Sequence, residues 1–231
     1  MQNSYKRIDA HLSTLGYCTR SEAKKFMKIY EVFVKDVRVF DPSIKAYHND
    51  IQINDEALDP ETITILLNKP SGFICSHNDA GSLIYALIPA RWNRRNPKIS
   101  TIGRLDVDTT GAIILTDDGA LNHKLSSPKS DVSKVYEATL AVPLKGDEAQ
   151  IFASGELMLN GEKKPLLPAI LEVISETHVR LEICEGKYHQ VKRMFAAVGN
   201  RVLTLHRVSF DGFTVEDLKE GEYKTITYAK K

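Results

Sequence analysis

The segment Ile102–Gly119, reading I-G-R-L-D-V-D-T-T-G-A-I-I-L-T-D-D-G, constrains the fold of this chain more than any other. Ala112, Ile113, Ile114 and Leu115 form a short apolar run that stops at the turn signal Asp117-Asp118-Gly119, which reads as a strand. Arg104, Leu105 and Asp106 stand just ahead of it, with Gly111 between. A lone acidic residue before a strand is ordinarily a solvated turn residue. An aspartate set between a cation and a strand in so compact a block is instead a candidate for chemistry.

The rest of the chain supplies further strands. From Ile63, the stretch T-I-L-L-N-K-P-S-G-F-I-C-S predicts a strand, a Pro-Gly turn at Pro70 to Gly72, and a second strand. Val135 to Val142, Ala169 to Ile174 and His178 to Cys184 alternate as strands do, whereas Gln190 to Val198 has helical spacing. Strands dominate without regular alternation with helices. The expected class is α+β on a mixed or antiparallel sheet, not a doubly wound fold.

Ahead of this lies a smaller region of different texture. Arg7 to Leu15 and Arg20 to Ile29 read as short helices joined at Gly16, with Thr19 or Ser21 able to cap the second. Arg20, Lys24 and Lys28 recur every four residues and so share one face, while Ala23, Phe26 and Met27 turn toward another. Val32, Val34 and Val37 to Val39 then suit a short strand and its return. The acid-rich stretch Asp50 to Glu61 reads as a linker, which divides the chain into domains at 1–60 and 61–231.

A formal charge of +1 gives no global argument for a polyanionic partner, but the charges are segregated. Arg91 to Arg104 holds five basic residues and no acidic one; Gly186 to Arg207 holds five more with two histidines and again no acid. A nearly neutral protein can therefore present a basic surface. The three cysteines are odd in number and far apart, and the seven histidines show no metal-ligand spacing, so no metal is expected. With no signal-like amino terminus and no apolar run near the ~20 residues of a membrane span, the chain reads as a soluble, cytoplasmic protein with reduced thiols.

Three blocks together carry a resemblance. G-R-L-D-x-D-T-x-G before its strand, N-K-P-x-G at Asn68 to Gly72, and G-K-Y-H-Q-V-K-R-M-F-A-A-V-G-N at Gly186 to Asn200 with Leu205-His-Arg resemble the pseudouridine synthases, in the branch that modifies ribosomal RNA. The resemblance spans about Arg7 to Tyr223. It implies that Asp106 is the nucleophile, that Tyr136 stacks on the target base as a candidate for proton transfer, and that Lys192 is the cation paired with Asp106. Most relatives carry Arg at that last place, so a point charge replaces a planar fork. Arg193 beside it is the next candidate, and a substrate contact. Arg104 is implied to fill the space left when the target nucleotide swings out of its stack. The order R-x-D-x-x-L-x-x-x-G from Arg7 to Gly16, followed by the basic helix and valine strand, resembles the S4-like RNA-binding domain, although Tyr30-Glu31 replaces its usual glycine. On that reading Arg20, Lys24 and Lys28 dock RNA. The implied reaction is isomerisation of uridine to pseudouridine in 16S rRNA, at position 516 in the usual rRNA numbering. The enzyme would act as a monomer, without cofactor, on free rRNA or a small-subunit assembly intermediate.

Three alternatives stand beside it. Large-subunit 23S rRNA could be the substrate of the same architecture. Asp106-Val-Asp108-Thr-Thr110 also satisfies D-x-D-x-T, used by aspartate-nucleophile phosphatases, though there the apolar strand precedes the motif and here it follows. A non-catalytic RNA-binding assembly factor is the third, weakened by the joint presence of Asp106, Tyr136 and Lys192.

Overall fold

The computed structural model describes residues 3–127 and 130–228, which form two compact units. The smaller comprises the amino-terminal stretch through Thr64 together with Ile88–Ser100 and Thr116–Gly119; the larger comprises Ile65–Leu87, Thr101–Leu115 and the described chain from Ala120 onward.

The smaller unit contains β1 (Tyr5–Arg7), α1 (Ile8–Thr14), α2 (Ala23–Ile29), β2 (Val32–Val34), β3 (Val37–Arg38), β4 (Lys45–Tyr47), β5 (Ile51–Ile53) and β6 (Glu56–Ala57). β1 pairs antiparallel with β4, and β3-β2-β5-β6 form a second antiparallel sheet. Its two hairpins turn through Lys35-Asp36 and Asn54-Asp55, all four at positive φ, the turn geometry that matches strand twist. Ile8 and Leu12 from α1, Leu15 just past its end, and Ala23 and Met27 from α2 recur at helical spacing and are buried against Val32, Ile51 and Ile53. Neither Thr19 nor Ser21 caps α2. Its first turn follows Glu22, whose carboxylate accepts the Thr19 backbone N–H at 2.9 Å and hydroxyl at 2.6 Å. Arg20 precedes the helix in an exposed turn, so only Lys24 and Lys28 lie on the helix itself.

The stretch expected as a linker is structured. It contains β5 and β6, and Asp59 accepts the Trp92 indole N–H at 2.8 Å and pairs with Arg91. The unit also reaches beyond residue 60, and the physical reason is Arg95. This guanidinium is only 2% exposed, and it donates to the Pro60 carbonyl at 2.7 Å, the Glu61 carbonyl at 3.0 Å and the Asp117 carboxylate at 2.7 Å. A buried charge must find acceptors, and these come from both sides of the anticipated boundary.

The larger unit is built on a nine-stranded sheet of β7 (Thr64–Lys69), β8 (Ser100–Ile102), β9 (Thr110–Thr116), β10 (Lys134–Leu140), β11 (Ile170–Val173), β12 (His178–Ile183), β13 (Val202–Phe210), β14 (Phe213–Thr214) and β15 (Tyr223–Thr225). The order is β11-β12-β10-β13-β9-β7-β15, with β14 on β13 and β8 on β9. β13 runs parallel to β9 and antiparallel to β10, so the sheet is mixed, as expected. The unit also contains the helices α3 (Gly119–Ser126), α4 (Glu148–Ala153) and α5 (Gln190–Ala197). Alternation along β12 buries Val179, Leu181 and Ile183, while β9 is buried from Gly111 to Thr116. Phe152 of α4 meets Phe195 of α5 edge-on at 5.3 Å between ring centroids. The second strand anticipated after Gly72 does not form; Ile74 makes only an isolated parallel bridge to Leu83. Cys75 is buried and Cys18 and Cys184 half-buried, all three as free thiols, with burial pushing Cys18 up to about 11. Among the described residues no helix is long and apolar enough to cross a membrane.

Candidate active site

Asp106 lies in the loop between β8 and β9, and the loop is fixed from beneath by Lys69. This lysine ends β7, is fully buried, and makes no ion pair with a carboxylate among the described residues. Its ammonium donates instead to four backbone carbonyls: Thr109 at 2.8 Å, Pro70 and Asp106 at 3.1 Å, and Val107 at 3.3 Å. Burial pulls the Lys69 ammonium below its ordinary value, an effect that the charges of Asp108 and Asp106 oppose. Within the loop the Thr109 N–H bonds the Asp106 carbonyl at 3.1 Å, and the Gly72 N–H bonds the Val107 carbonyl at 2.8 Å. Leu105, 7% exposed, plugs the loop into the core and leaves the neighbouring carboxylate at the surface of a cavity.

The strand after the loop requires its glycine. Gly111 has φ +103° and pairs with Arg207 in the parallel β9–β13 register, where an added Cβ would collide with the Arg207 backbone. That close approach sets the Arg207 side chain beneath the cavity. Its Nε donates to the Ala112 carbonyl at 2.6 Å, and its guanidinium carbon lies 5.0 Å from the Phe210 ring centroid and 5.9 Å from that of Tyr136. Arg207 also reaches the Tyr136 hydroxyl at 3.4 Å.

The cavity measures about 560 Å³, and its wall includes Arg104, Asp106, Tyr136, His189, Lys192 and Arg207. This lies within the ~300–1,000 Å³ of small-molecule sites. Lys192 projects from α5, 86 residues beyond Asp106 in the chain, and its Nζ lies 3.1 Å from Asp106 Oδ2. The same ammonium is 2.7 Å from Asp108 Oδ1. Burial acts to lower the Lys192 ammonium, but its bonds to Asp108 and Asp106 outweigh that and hold it above its ordinary value. Lys192 in turn holds Asp108 below the usual carboxylate range. The other oxygen of Asp106, Oδ1, is 3.2 Å from His189 Nε2.

The structure thus brings Asp106, Tyr136, Lys192 and Arg104 to one cavity. Arg104 is exposed and makes no ion pair among the described residues, so Asp108 serves Lys192 and not its neighbour in sequence. Lys69 and the Thr109 backbone N–H hold the turn, while Asp108 pairs with Lys192. Arg193 is not brought to the cavity: it donates to Glu162 at 3.0 Å and to the Asn160 carbonyl at 2.5 Å. Adjacent positions on a helix point about 100° apart, so Lys192 and Arg193 cannot both face Asp106. Arg20, Lys24 and Lys28 lie in the smaller unit. Lys69, His189 and Arg207 escape the sequence reading as site residues, although each falls inside a recognised block. The legible signals were a lysine ending an apolar strand before Pro-Gly, and the histidine and arginine of H-Q-V-K and L-H-R.

Among the described residues, one group could offer three metal-ligand atoms: His11, His48 and Glu61, within 4.8 Å of one another. Tetrahedral zinc, with bonds of about 2.1 Å, draws ligand atoms to roughly 3.4 Å. Here His48 Nδ1 and Glu61 Oε1 are 3.8 Å apart, Glu61 accepts the Ser4 N–H at 2.7 Å, and His11 Nε2 meets the Ala46 carbonyl at 3.1 Å. Burial lowers both imidazoles. Glu61 and His11 are thus committed to backbone partners, and the spacing is wider than a tetrahedral zinc site requires.

A mixed sheet carrying a buried-lysine loop, with an aspartate and a strand tyrosine facing one cavity, corresponds to a recognised class. The sequence profile of RNA pseudouridylate synthase matches residues 63–197, and the chain belongs to that family. It is therefore an RNA pseudouridine synthase, an isomerase, and the phosphatase and non-catalytic alternatives fall away. Among individual proteins, it is 41% identical over 225 residues to ribosomal small subunit pseudouridine synthase A of Vibrio cholerae, covering 96% of each chain. It is 48% identical over 166 residues to the protein of that name from Escherichia coli K12, covering 70% of this chain and 69% of the relative. A crystal structure of a pseudouridylate synthase superposes with a TM-score of 0.67 at 40% identity, covering 96% of each chain.

Proposed function

We propose that this enzyme isomerises one uridine of small-subunit ribosomal RNA, uridine 516 of 16S rRNA, at the cavity walled by Asp106, Tyr136 and Lys192. The observation that carries the reading is the pairing of the Asp106 carboxylate with Lys192 at 3.1 Å on the wall of the cavity that Tyr136 also lines. The choice of RNA rests on the names of the relatives at 41% and 48% identity. Large-subunit rRNA is the alternative substrate for the same chemistry.

In the reaction, the bond from ribose C1′ to uracil N1 breaks, the base turns, and a bond from C1′ to C5 forms. The proton lost at C5 is balanced by one gained at N1, so no electrons are exchanged. Asp106 serves as the nucleophile, its carboxylate paired with the Lys192 ammonium in a partly water-excluded site. Tyr136, 8% exposed, offers its ring to the detached base. Arg104, exposed and unpaired among the described residues, is free to occupy the place vacated by the extruded nucleotide. The smaller unit is the S4-like docking module, with Arg20, Lys24 and Lys28 contacting phosphates.

Asp106→Asn keeps the shape of the side chain and removes its charge and nucleophilicity. Pseudouridine formation on 16S rRNA should stop, with RNA affinity nearly unchanged. Turnover by a homogeneous Asp106→Asn preparation would sink the assignment. Mapping pseudouridines in the rRNA of cells lacking the protein decides between 16S and 23S targets.

A further inference from the structure

His189 is the N-cap of α5, yet its side chain makes no capping bond. Its backbone sits at φ 47°, ψ 37°, the left-handed region that non-glycine residues adopt sparingly. The entry to the helix is closed by its neighbour instead: the Gln190 side-chain oxygen accepts the Lys187 N–H at 2.8 Å, and its amide donates to Glu185 at 3.1 Å. The His189 ring is thereby released from helix capping. It stacks on Tyr188 at 3.8 Å between centroids, with 20° between planes, and its Nε2 reaches Asp106 Oδ1 at 3.2 Å. Lys192, one helical turn further on, takes Oδ2.

We propose that His189 is a positioning residue for the nucleophile: the left-handed turn at the start of α5 sets its Nε2 3.2 Å from Asp106 Oδ1, and this contact together with the Lys192 bond to Oδ2 holds the plane of the carboxylate. The inference rests on the reading of Asp106 as nucleophile. A carboxylate held by one donor can rotate about its Cβ–Cγ bond; one contacted on both oxygens cannot do so without giving up a contact. Each oxygen keeps a further lone pair for the substrate. The two side chains enter from the start of one helix, so the helix start also sets the reactive orientation. Fixing a reacting group before the substrate arrives removes that ordering cost from the chemical step.

Two substitutions separate this role from a merely conformational one. Asn tolerates the left-handed region well, but its amide ends one methylene short of that of Gln and cannot reach Oδ1. Gln can place an amide N–H near the position of Nε2, but favours the left-handed backbone less. Positioning predicts that His189→Asn lowers the single-turnover rate at saturating RNA by about tenfold or more. It predicts an unchanged RNA dissociation constant for His189→Asn and partial rescue of the rate in His189→Gln. A conformational role predicts the reverse order, with Asn near wild type and Gln impaired. That order, or full activity in both variants, overturns the proposal. If Asp106→Asn is inactive while His189→Asn retains the full rate, only the role of His189 fails; if Asp106→Asn turns over, the reading of the nucleophile fails first.

Discussion

Lys69→Met tests how the nucleophile loop is held. The substitution nearly preserves length and volume at a fully buried position while deleting every donor. Four carbonyls, those of Pro70, Asp106, Val107 and Thr109, lose their shared partner at distances of 2.8 to 3.3 Å. A buried acceptor left unpaired costs about 1–3 kcal/mol, and hydrogen bonds from a charged donor contribute about 1.5–3 kcal/mol each. Against that stands the cost of holding an ammonium in the interior, several kcal/mol, which the methionine escapes. The lowered value of the Lys69 ammonium reports that penalty. If water reaches two of the four carbonyls in the variant, the other two cost about 2–6 kcal/mol, part of which the escaped burial penalty of the ammonium offsets, leaving a net loss of roughly 2–4 kcal/mol. For a domain of 150–250 residues, that lowers the melting temperature by about 5–15 °C. The Asp106 carbonyl is among the four, so the loosened loop also displaces the carboxylate. The chemical rate should therefore fall much further than RNA affinity. Calorimetry and single-turnover assays on the purified variant measure both. A variant with the wild-type melting temperature and rate would refute the claim that Lys69 fixes the loop.

Two further perturbations address the ion pair and the docking face. Lys192→Met should lower the rate at neutral pH while Lys192→Arg retains part of it, and a wild-type rate for the methionine variant would remove the pairing with Asp106 from the mechanism. The accompanying stability difference has a defined pH window. Asp108 is held low when folded, so its contribution is present above the ordinary carboxylate value of about 3.9 and lost as pH falls through the folded value. Lys192 is held high, so its contribution is present below about 10.4 and lost as pH rises through the folded value. Urea unfolding at acidic, neutral and alkaline pH should show the difference from wild type only in the middle of this range, and a difference independent of pH contradicts the coupling. Neutralising Arg20, Lys24 and Lys28 together should weaken RNA binding and flatten its salt dependence by up to about three phosphate contacts, sparing single-turnover rates at saturating RNA. Superimposable salt curves would show that these residues are merely solvated.

Much of this protein is determined locally. The apolar run Ala112–Leu115 ending at Asp117-Asp118-Gly119 is a strand, because a run that short between turn residues can bury both faces only in a sheet. The helical spacing of Gln190–Val198 and the alternation of His178–Cys184 likewise express periods that any context preserves. The candidate nucleophile was legible for the same reason, since Arg104, Asp106 and Gly111 are neighbours along the chain. Tertiary structure decided what depends on distance in space. Lys192 and His189 take opposite oxygens of Asp106 only because α5 is carried back to the β8–β9 loop. Arg193, adjacent in sequence, turns away to Glu162. Lys69 is indistinguishable in sequence from an exposed strand-end lysine, and its burial beneath four carbonyls follows from how the loop folds over β7. The acidic stretch before residue 61 has the composition of a linker, but Arg95 needs acceptors once it is buried, and the Pro60 and Glu61 carbonyls supply them. A local pattern reports the period and the turn; which charges meet, and which side chains lose their water, is settled only when distant segments close on one another.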